Sequence, residues 1–378
     1  MIQDHTDILI IGGGLAGLTA ALHLQKEGLQ VVLIEKNEYP QHKVCGEYIS
    51  NEVLPYLKWL DAEPAILKPA LIGRLKFSTV AGKSITAKLP LGGFGISRYA
   101  LDNFLYEKFN SKGGQVITDR VTGVFTEKNN FLTALASGKK ISAAQVIGAY
   151  GKRSGLDLKM QRNFMQVKSP FLAVKAHYEG EFEPDLVALH NFNGGYCGVS
   201  KVEEQKINIC YLADYSTFMK YKSISSYQEK VLYQNKALQQ IFESSRLLFE
   251  KPLTISQLSF GAKEAVLDHI LMIGDTAGLI HPLCGNGMAM AIHSAKICSE
   301  LLVQFFKGTI KTRAMLEQQY TAAWNHHFKS RLRTGTALSA LLRKEKLSNM
   351  MMTAMVNIPA ILPMIIRKTH GKTLTTPS

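Results

Sequence analysis

The sequence predicts an α/β chain: a parallel sheet layered with helices, an inserted α+β region built on antiparallel strands, and a helical C-terminal tail. Three observations carry this. A short β-branched run, Asp7-Ile8-Leu9-Ile10-Ile11, leads straight into a glycine-rich turn and a helical repeat. Apolar runs at Phe171 to Tyr178, Leu186 to Phe192, Gly195 to Val202 and Lys206 to Ala213 have the length and spacing of antiparallel strands. Beyond residue 326 the pattern is helical.

The first unit is the most informative. Asp7 to Ile11 reads as a buried parallel strand. Gly12-Gly13-Gly14-Leu15-Ala16-Gly17 follows, a GxGxxG loop, and Leu15 to Lys26 continues with helical spacing until Gly28. Val31 to Ile34 is a second strand, closing on Glu35 and Lys36. Gly12 permits the tight turn, Gly14 lets a pyrophosphate approach the backbone, and Gly17 lets helix and strand pack closely. The helix N-terminus offers N–H groups and a positive dipole end to phosphates. Glu35 is placed to accept hydrogen bonds from a ribose diol. Loop, helix and acid together predict a Rossmann-like, dinucleotide-binding unit, without separating FAD from NAD.

At 378 residues the chain suits two interleaved domains. About 46% of residues are apolar and 20% charged, an ordinary globular balance. The first apolar run is short and preceded by Asp4 and Asp7, so no signal peptide is expected. The longest apolar stretch, 350–366, is interrupted by Asn357, Pro359 and Pro363, and no spanning helix is expected. Five cysteines, widely spaced and without a CxxC pair, predict neither a disulfide framework nor a metal site and fit a cytoplasmic protein. The net charge is +14, and from His326 onward nine Lys/Arg face one acid, Glu345. Such a tail suits an anionic partner, whether a membrane surface, a phosphorylated substrate or an acidic carrier protein, or is a solvated helix face. No aromatic-basic platform accompanies the charge, so nucleic acid is not expected.

Three downstream motifs carry a resemblance. Ile270-Leu271-Met272-Ile273-Gly274-Asp275 is a strand ending in Gly-Asp, and a loop containing His281, Pro282 and Cys284 leads through Gly285-Asn286-Gly287 into a helix from Met288 to about Phe306. The pattern resembles the FAD-dependent monooxygenase and geranylgeranyl reductase superfamily, over nearly the whole chain. The resemblance implies a glutathione-reductase-type FAD domain, with Gly274 and Asp275 at the ribitol and Gly285 to Met288 at the isoalloxazine ring. A helix start there would stabilise negative charge on the reduced ring. Ser97-Arg98-Tyr99-Ala100-Leu101-Asp102 resembles the family's helix start, which implies Arg98 at the FAD pyrophosphate. Gly148-Ala149-Tyr150-Gly151 resembles its Gly-Ala-Asp-Gly motif with Tyr150 in place of the acid, a departure that argues against a built-in NAD(P)H site. Val121 is a further cofactor candidate.

Lys43-Val44-Cys45-Gly46-Glu47 resembles the basic-x-Cys-Gly segment of the geranylgeranyl reductases, which implies Cys45 and Gly46 beside the flavin. Cys45 and His281 are the candidate catalytic groups, each with a purely structural alternative. Glu47, Tyr196 and Cys284 are the candidate substrate-pocket residues. Gly195-Tyr196-Cys197-Gly198 occupies the place of the archaeal lipid reductases' Tyr-x-Trp-x-Phe-Pro motif and shares only the tyrosine. It lacks both tryptophans of the halogenases, which points away from halogenation.

The expected FAD-binding domain covers 1–70, 93–160 and 262–325, and the substrate domain 71–92 and 161–261. Leu71 to Leu91 is expected as a hairpin turning at Ala81-Gly82-Lys83, and 215–250 as helices on the sheet. The tail, 326–378, carries Met350, Met351, Met352 and Met355 as a soft apolar face that caps the pocket or touches a membrane. The leading expectation is hydride transfer from reduced flavin to an unsaturated apolar substrate of isoprenoid or polyketide type, with electrons from NAD(P)H or a reductase. The alternatives are a monooxygenase acting on an aromatic or polyketide-like substrate and a non-catalytic flavoprotein.

Overall fold

Strand β1 (His5–Ile11) sits at the centre of a parallel sheet, between β2 (Val31–Glu35) and β9 (Lys140–Gly148). The computed structural model describes residues 5–377, apart from 128, 167–168, 222, 343–346, 348–349, 352–353, 355–356 and 359. The order β6-β2-β1-β9-β17 is completed by β6 (Gln115–Thr118) and β17 (Ile270–Met272). Three antiparallel strands, β7 (Val121–Glu127), β8 (Asn130–Leu135) and β16 (Val266–Leu267), extend it. Helices α1 (Leu15–Lys26), α3 (Arg98–Ser111) and α8 (Gly287–Phe306) form the layer above, with α1 touching both others. That position explains why α1 is apolar on most faces: every residue from Leu15 to Leu24 is buried.

The parallel register brings Gly12, Glu35, Ala149 and Gly274 to one edge, the carboxyl ends of the strands, where open α/β sheets bind ligands. Gly12 has φ +105°, and a Cβ on Gly17 would stand 2.0 Å from the Gly12 carbonyl oxygen. Helix α1 can start where it does only because both are glycine.

The second sheet runs β14-β10-β13-β12-β11-β4-β5-β3, with β15 (Leu253–Ser256) also on β10. Its strands are β3 (Tyr48–Ser50), β4 (Ala70–Ser78), β5 (Ser84–Gly95), β10 (Phe171–Glu179), β11 (Leu186–Phe192), β12 (Gly195–Lys201), β13 (Ile207–Asp214) and β14 (Arg246–Leu247). Period-2 alternation splits β10 between two faces. Leu172, Val174, Ala176 and Tyr178 pack with Tyr227, Leu232, Leu238 and Phe242 from the helical layer formed by α6 (Ile224–Lys230), α7 (Lys236–Glu243) and the turn between them. The other face carries Ala173, Lys175 and His177.

Three expectations are corrected. The 215–250 segment is not helical throughout, because Arg246–Leu247 pairs with Tyr178 and Glu179 at the sheet edge. Tyr48–Ser50, expected with the FAD-binding domain, pairs with Gly93–Gly95 in the second sheet, which is antiparallel except where β4 runs parallel to β11. The expected boundary at 325/326 falls inside one continuous helix, α9 (Arg313–Leu342), which packs on α8. A later helix, Ile361–Thr369, buries Leu362 and Ile366 against Tyr48, Ile72, Phe77 and Leu89. Met351 joins that cluster and Met350 is exposed. Met352, Met355 and the charged run Arg343, Lys344, Glu345 and Lys346 lie outside the described residues. Among the described residues, no helix is long and apolar enough to cross a membrane.

The glycine contact gives a direct test. Gly17→Ala is expected to destabilise the apoprotein by about 3 kcal/mol through overpacking. Gly28→Ala, at φ +83° with nothing within 4 Å, meets only backbone strain and should cost about 1 kcal/mol. Urea unfolding of the two variants measures the difference.

Candidate active site

Helix starts leave bare N–H groups, and several helices here satisfy them with a side chain. Ser97 caps α3, Ser223 caps α6 and Asn235 caps α7. Helices α1 and α8 start on Gly14 and Asn286 with no side-chain cap and no acid in the first turn. Both starts lie beside the motifs assigned to the cofactor. Leu15, Ala16 and Gly17 form the first turn of α1, and Gly287 and Met288 that of α8.

At α1 the surroundings are cationic. A Cβ on Gly14 would meet only Arg98 Nη2, at 3.4 Å, and Lys43 Nζ, at 3.8 Å, within the 4 Å shell. Arg98 grips Asp102 with both Nε and Nη2 at 2.7 Å, and Lys43 reaches the same carboxylate at 3.0 Å. Burial alone would raise Asp102, but the two cations hold it below the usual carboxylate range. Two cations against one anion leave a net positive charge over a bare helix start, which fits a diphosphate. Lys43 is the basic residue of the basic-x-Cys-Gly segment, and the sequence alone does not show what it reaches. Its partner Asp102 is 59 residues away in sequence.

Glu35 is buried under the glycine loop. Its oxygens accept from Gly13 N–H at 2.7 Å and Asn37 N–H at 3.1 Å, while Lys36 is exposed. Val121 opens β7 just past Asp119, whose N–H meets the Glu35 carbonyl at 2.9 Å.

At the other end, a chain of main-chain contacts fixes the Gly274-Asp275 turn. Lys263 Nζ donates to the carbonyls of Asp275 (2.7 Å) and Lys152 (2.9 Å), and Lys152 Nζ donates to that of Val44 (3.0 Å). Gly151 N–H donates to Thr276 Oγ1 at 2.8 Å, and Gly274 N–H to Ser294 Oγ at 2.9 Å. Tyr150 turns away, its hydroxyl against the sulfurs of Met160 and Met272. Gly285 has φ +62° and packs near the Tyr48 ring. Asn286 hydrogen-bonds Glu52, a wholly buried carboxylate that also accepts from Gly371 N–H at 2.7 Å.

Cys45 is half-buried, and a Cβ on Gly46 would meet nothing within 4 Å. The open space at Gly46 and the uncapped start of α8 fit a planar ring system that approaches backbone closely. Asn208 Nδ2 donates to the carbonyls of Cys45 (3.3 Å) and Gly46 (2.9 Å).

Next to these loops lies an apolar cluster: Ala173, Tyr196, Leu212, Leu258 and Leu279, joined by Val44, Phe171 and Phe260. The His281 ring sits among aromatic rings, 4.6 Å from Phe260 and 5.8 Å from Tyr196. Cys284 is buried, its thiol pushed up to about 12, which leaves it protonated. Burial likewise holds the Tyr196 hydroxyl protonated. Helix α9 covers this loop closely: a Cβ on Gly335 would stand 3.1 Å from Cys284 Sγ.

Glu47, expected at the substrate pocket, is instead wholly buried in an ion cluster with Lys175 and His177. The sequence reading passed over Lys175 and His177. Their signal was present: two basic residues on alternate positions of the otherwise apolar strand Phe171 to Tyr178.

Comparison with known proteins gives one family match, curated relatives and fold matches. The family model described as FAD dependent oxidoreductase matches residues 7–48. Over 338 residues the chain is 25% identical to the digeranylgeranylglycerophospholipid reductase of Methanosarcina mazei, covering 85% of this chain and 81% of that one. The protein is an FAD-dependent oxidoreductase. The oxidoreductase shares its fold with a geranylgeranyl bacteriochlorophyll reductase-like protein from Thermoplasma acidophilum (TM-score 0.74, 18% identity, 96% and 95% of the two chains). It also shares it with the flavin-dependent brominase Bmp2 (TM-score 0.80, 15% identity, 97% and 93%).

Two measurements follow for this oxidoreductase. Arg98→Ala removes half of the cation pair at Gly14 and should weaken FAD binding by about 10–100-fold, read by fluorescence titration. Lys263 is pushed down from 10.5 to about 8 by burial, the opposing pull of Asp275 and Asp157 being smaller. Between those values the unfolded chain binds more protons, so this group makes folding more favourable as pH rises. The stability of the wild type relative to Lys263→Met should therefore climb from pH 8 to 10.5 and be flat below 8, measured by urea melts across that range.

Proposed function

We propose that this flavoenzyme saturates carbon–carbon double bonds in a largely apolar, isoprenoid-like substrate. The observation that carries the reading is the apolar sheet face of Ala173, Tyr196 and Leu212, with Leu279 from the Gly274-to-Gly285 loop packed on it, next to the Cys45-Gly46 segment. Bound FAD, once reduced, supplies the hydride. The chain supplies the rest. Arg98, Lys43 and the start of α1 hold the diphosphate. The uncapped N-terminus of α8 stabilises negative charge on the ring edge. Phe171, Leu258, Leu279 and Phe260 exclude water from the reacting carbons. Cys45 and His281 are the groups on hand to pass the balancing proton, with water as the alternative source.

Electrons come from an external donor, NAD(P)H or a reductase. Tyr150, packed against two methionine sulfurs where the hydroxylase motif has an acid, supports transient donor contact over a built-in nicotinamide site. The basic C-terminal region suits an anionic membrane surface, which would bring a lipid-borne substrate to the apolar face, or an acidic carrier. The reading is of an enzyme of the cytoplasm or the membrane periphery.

The test is anaerobic. The FAD-loaded protein is reduced with dithionite and mixed with a geranylgeranyl lipid under argon. Reoxidation of the flavin with matching loss of double bonds is the expected result. A requirement for O₂, with oxygen incorporated into the product, would overturn this in favour of monooxygenation.

A further inference from the structure

A single buried carboxylate connects both ends of the cofactor site. Glu47 Oε1 accepts from Lys175 Nζ at 3.0 Å and from the Arg98 backbone N–H at 2.9 Å, and Oε2 pairs with His177 Nε2 at 2.6 Å. His177 donates from Nε2 here whether its ring is neutral or charged. Glu47 and Lys175 are 0% exposed and His177 is 2%. The Lys175 ammonium also sits 5.1 Å from the Phe249 ring centroid.

The backbone at Glu47 is unusual as well. Its φ is +54°, the left-handed region that costs a non-glycine residue about 1–3 kcal/mol and persists only where surroundings impose it. Here the carboxylate contacts impose it, together with the Glu47 carbonyl accepting from Ile96 N–H at 3.0 Å. Glu47 N–H in turn points at Cys45 Sγ, 3.5 Å away. With Asn208 holding the carbonyls of Cys45 and Gly46, the 45–47 segment is clamped from the antiparallel sheet while Gly46 stays open on its other side. The same carboxylate fixes the first residue of α3, whose guanidinium stands over Gly14. Buried ion pairs add little net stability over apolar packing, so stability alone does not account for this cluster.

We propose that Glu47 is the positioning residue of the flavin site, and that Lys175 and His177 are its anchors in the antiparallel sheet. Through Glu47 the substrate sheet sets where Cys45-Gly46 meets the ring and where Arg98 meets the diphosphate. The proposal rests on FAD binding at this site and on no particular substrate.

The test uses full-length Glu47→Gln, Glu47→Asp, Lys175→Met and His177→Asn. FAD affinity, the visible spectrum of bound flavin and apoprotein melting are measured for each. Glu47→Gln and Lys175→Met should weaken FAD by about tenfold or more and shift the flavin absorption bands. Glu47→Asp should recover part of both, and Glu47→Gln with Lys175→Met should be no worse than the more damaging single change. A lowered apoprotein melting temperature with wild-type FAD affinity and spectrum would overturn the proposal by making the cluster merely structural. If Glu47→Gln does not fold, His177→Asn, which leaves the Lys175 pair intact, is judged by the same two flavin readouts. A wild-type protein that takes up no FAD would refute the flavin assignment itself, whereas a yellow wild type with indifferent variants refutes only the role of Glu47.

Discussion

The approach of Gly17 to the carbonyl of Gly12 sets the geometry on which the rest depends. With no room for a Cβ between them, helix α1 starts directly against the end of β1 and aims its bare N–H groups along the sheet's carboxyl edge. Every other part of the site is arranged around that point. Arg98 and Lys43 bring positive charge to it, Asp102 holds them in place, and the Gly274 turn and α8 close the far side. The chain returns to this edge from four separate stretches, which is why the cofactor motifs are scattered in sequence and adjacent in space.

Much of the fold was legible because its determinants are local. The turn at Gly82, the four antiparallel strands from Phe171 onward and the helix from Gly287 to Phe306 each follow from periodicity and a glycine or asparagine at the boundary. The failures share one cause. Arg246–Leu247 became a strand because an edge of β10 was there to pair with, and Tyr48–Ser50 joined the antiparallel sheet because β5 lay alongside. Neither partner is visible from the segment itself. Likewise α9 crosses the expected domain boundary because its apolar side has α8 to lie on.

The site was legible in its glycines and much less so in its charges. A GxGxxG loop states its purpose within six residues. Glu47 and His177 are 130 residues apart, and Glu52 and Gly371 are 319 apart, so no local pattern announces either pair. Glu47 shows the consequence: a polar residue beside a Cys-Gly segment read as pocket lining, while three-dimensional packing turned it into a buried hub. Cys284 shows the converse. Its motif position pointed to the flavin loop, and the structure adds that its thiol is shielded by α9 and held protonated.

The contacts of Glu52 tie the flavin loop to residues 371–374. Asn286 holds its side chain, Gly371 N–H donates to its carboxylate, and Leu374 N–H donates to its carbonyl at 2.8 Å. On the ribosome, the glycine loop, β1 and α1 emerge well before residues 371–374 and can assemble early. The clasp that steadies Asn286 cannot form until residues 371–374 have left the exit tunnel. The seat of the flavin loop is thus completed only after the glycine loop, β9 and α8 have all been made.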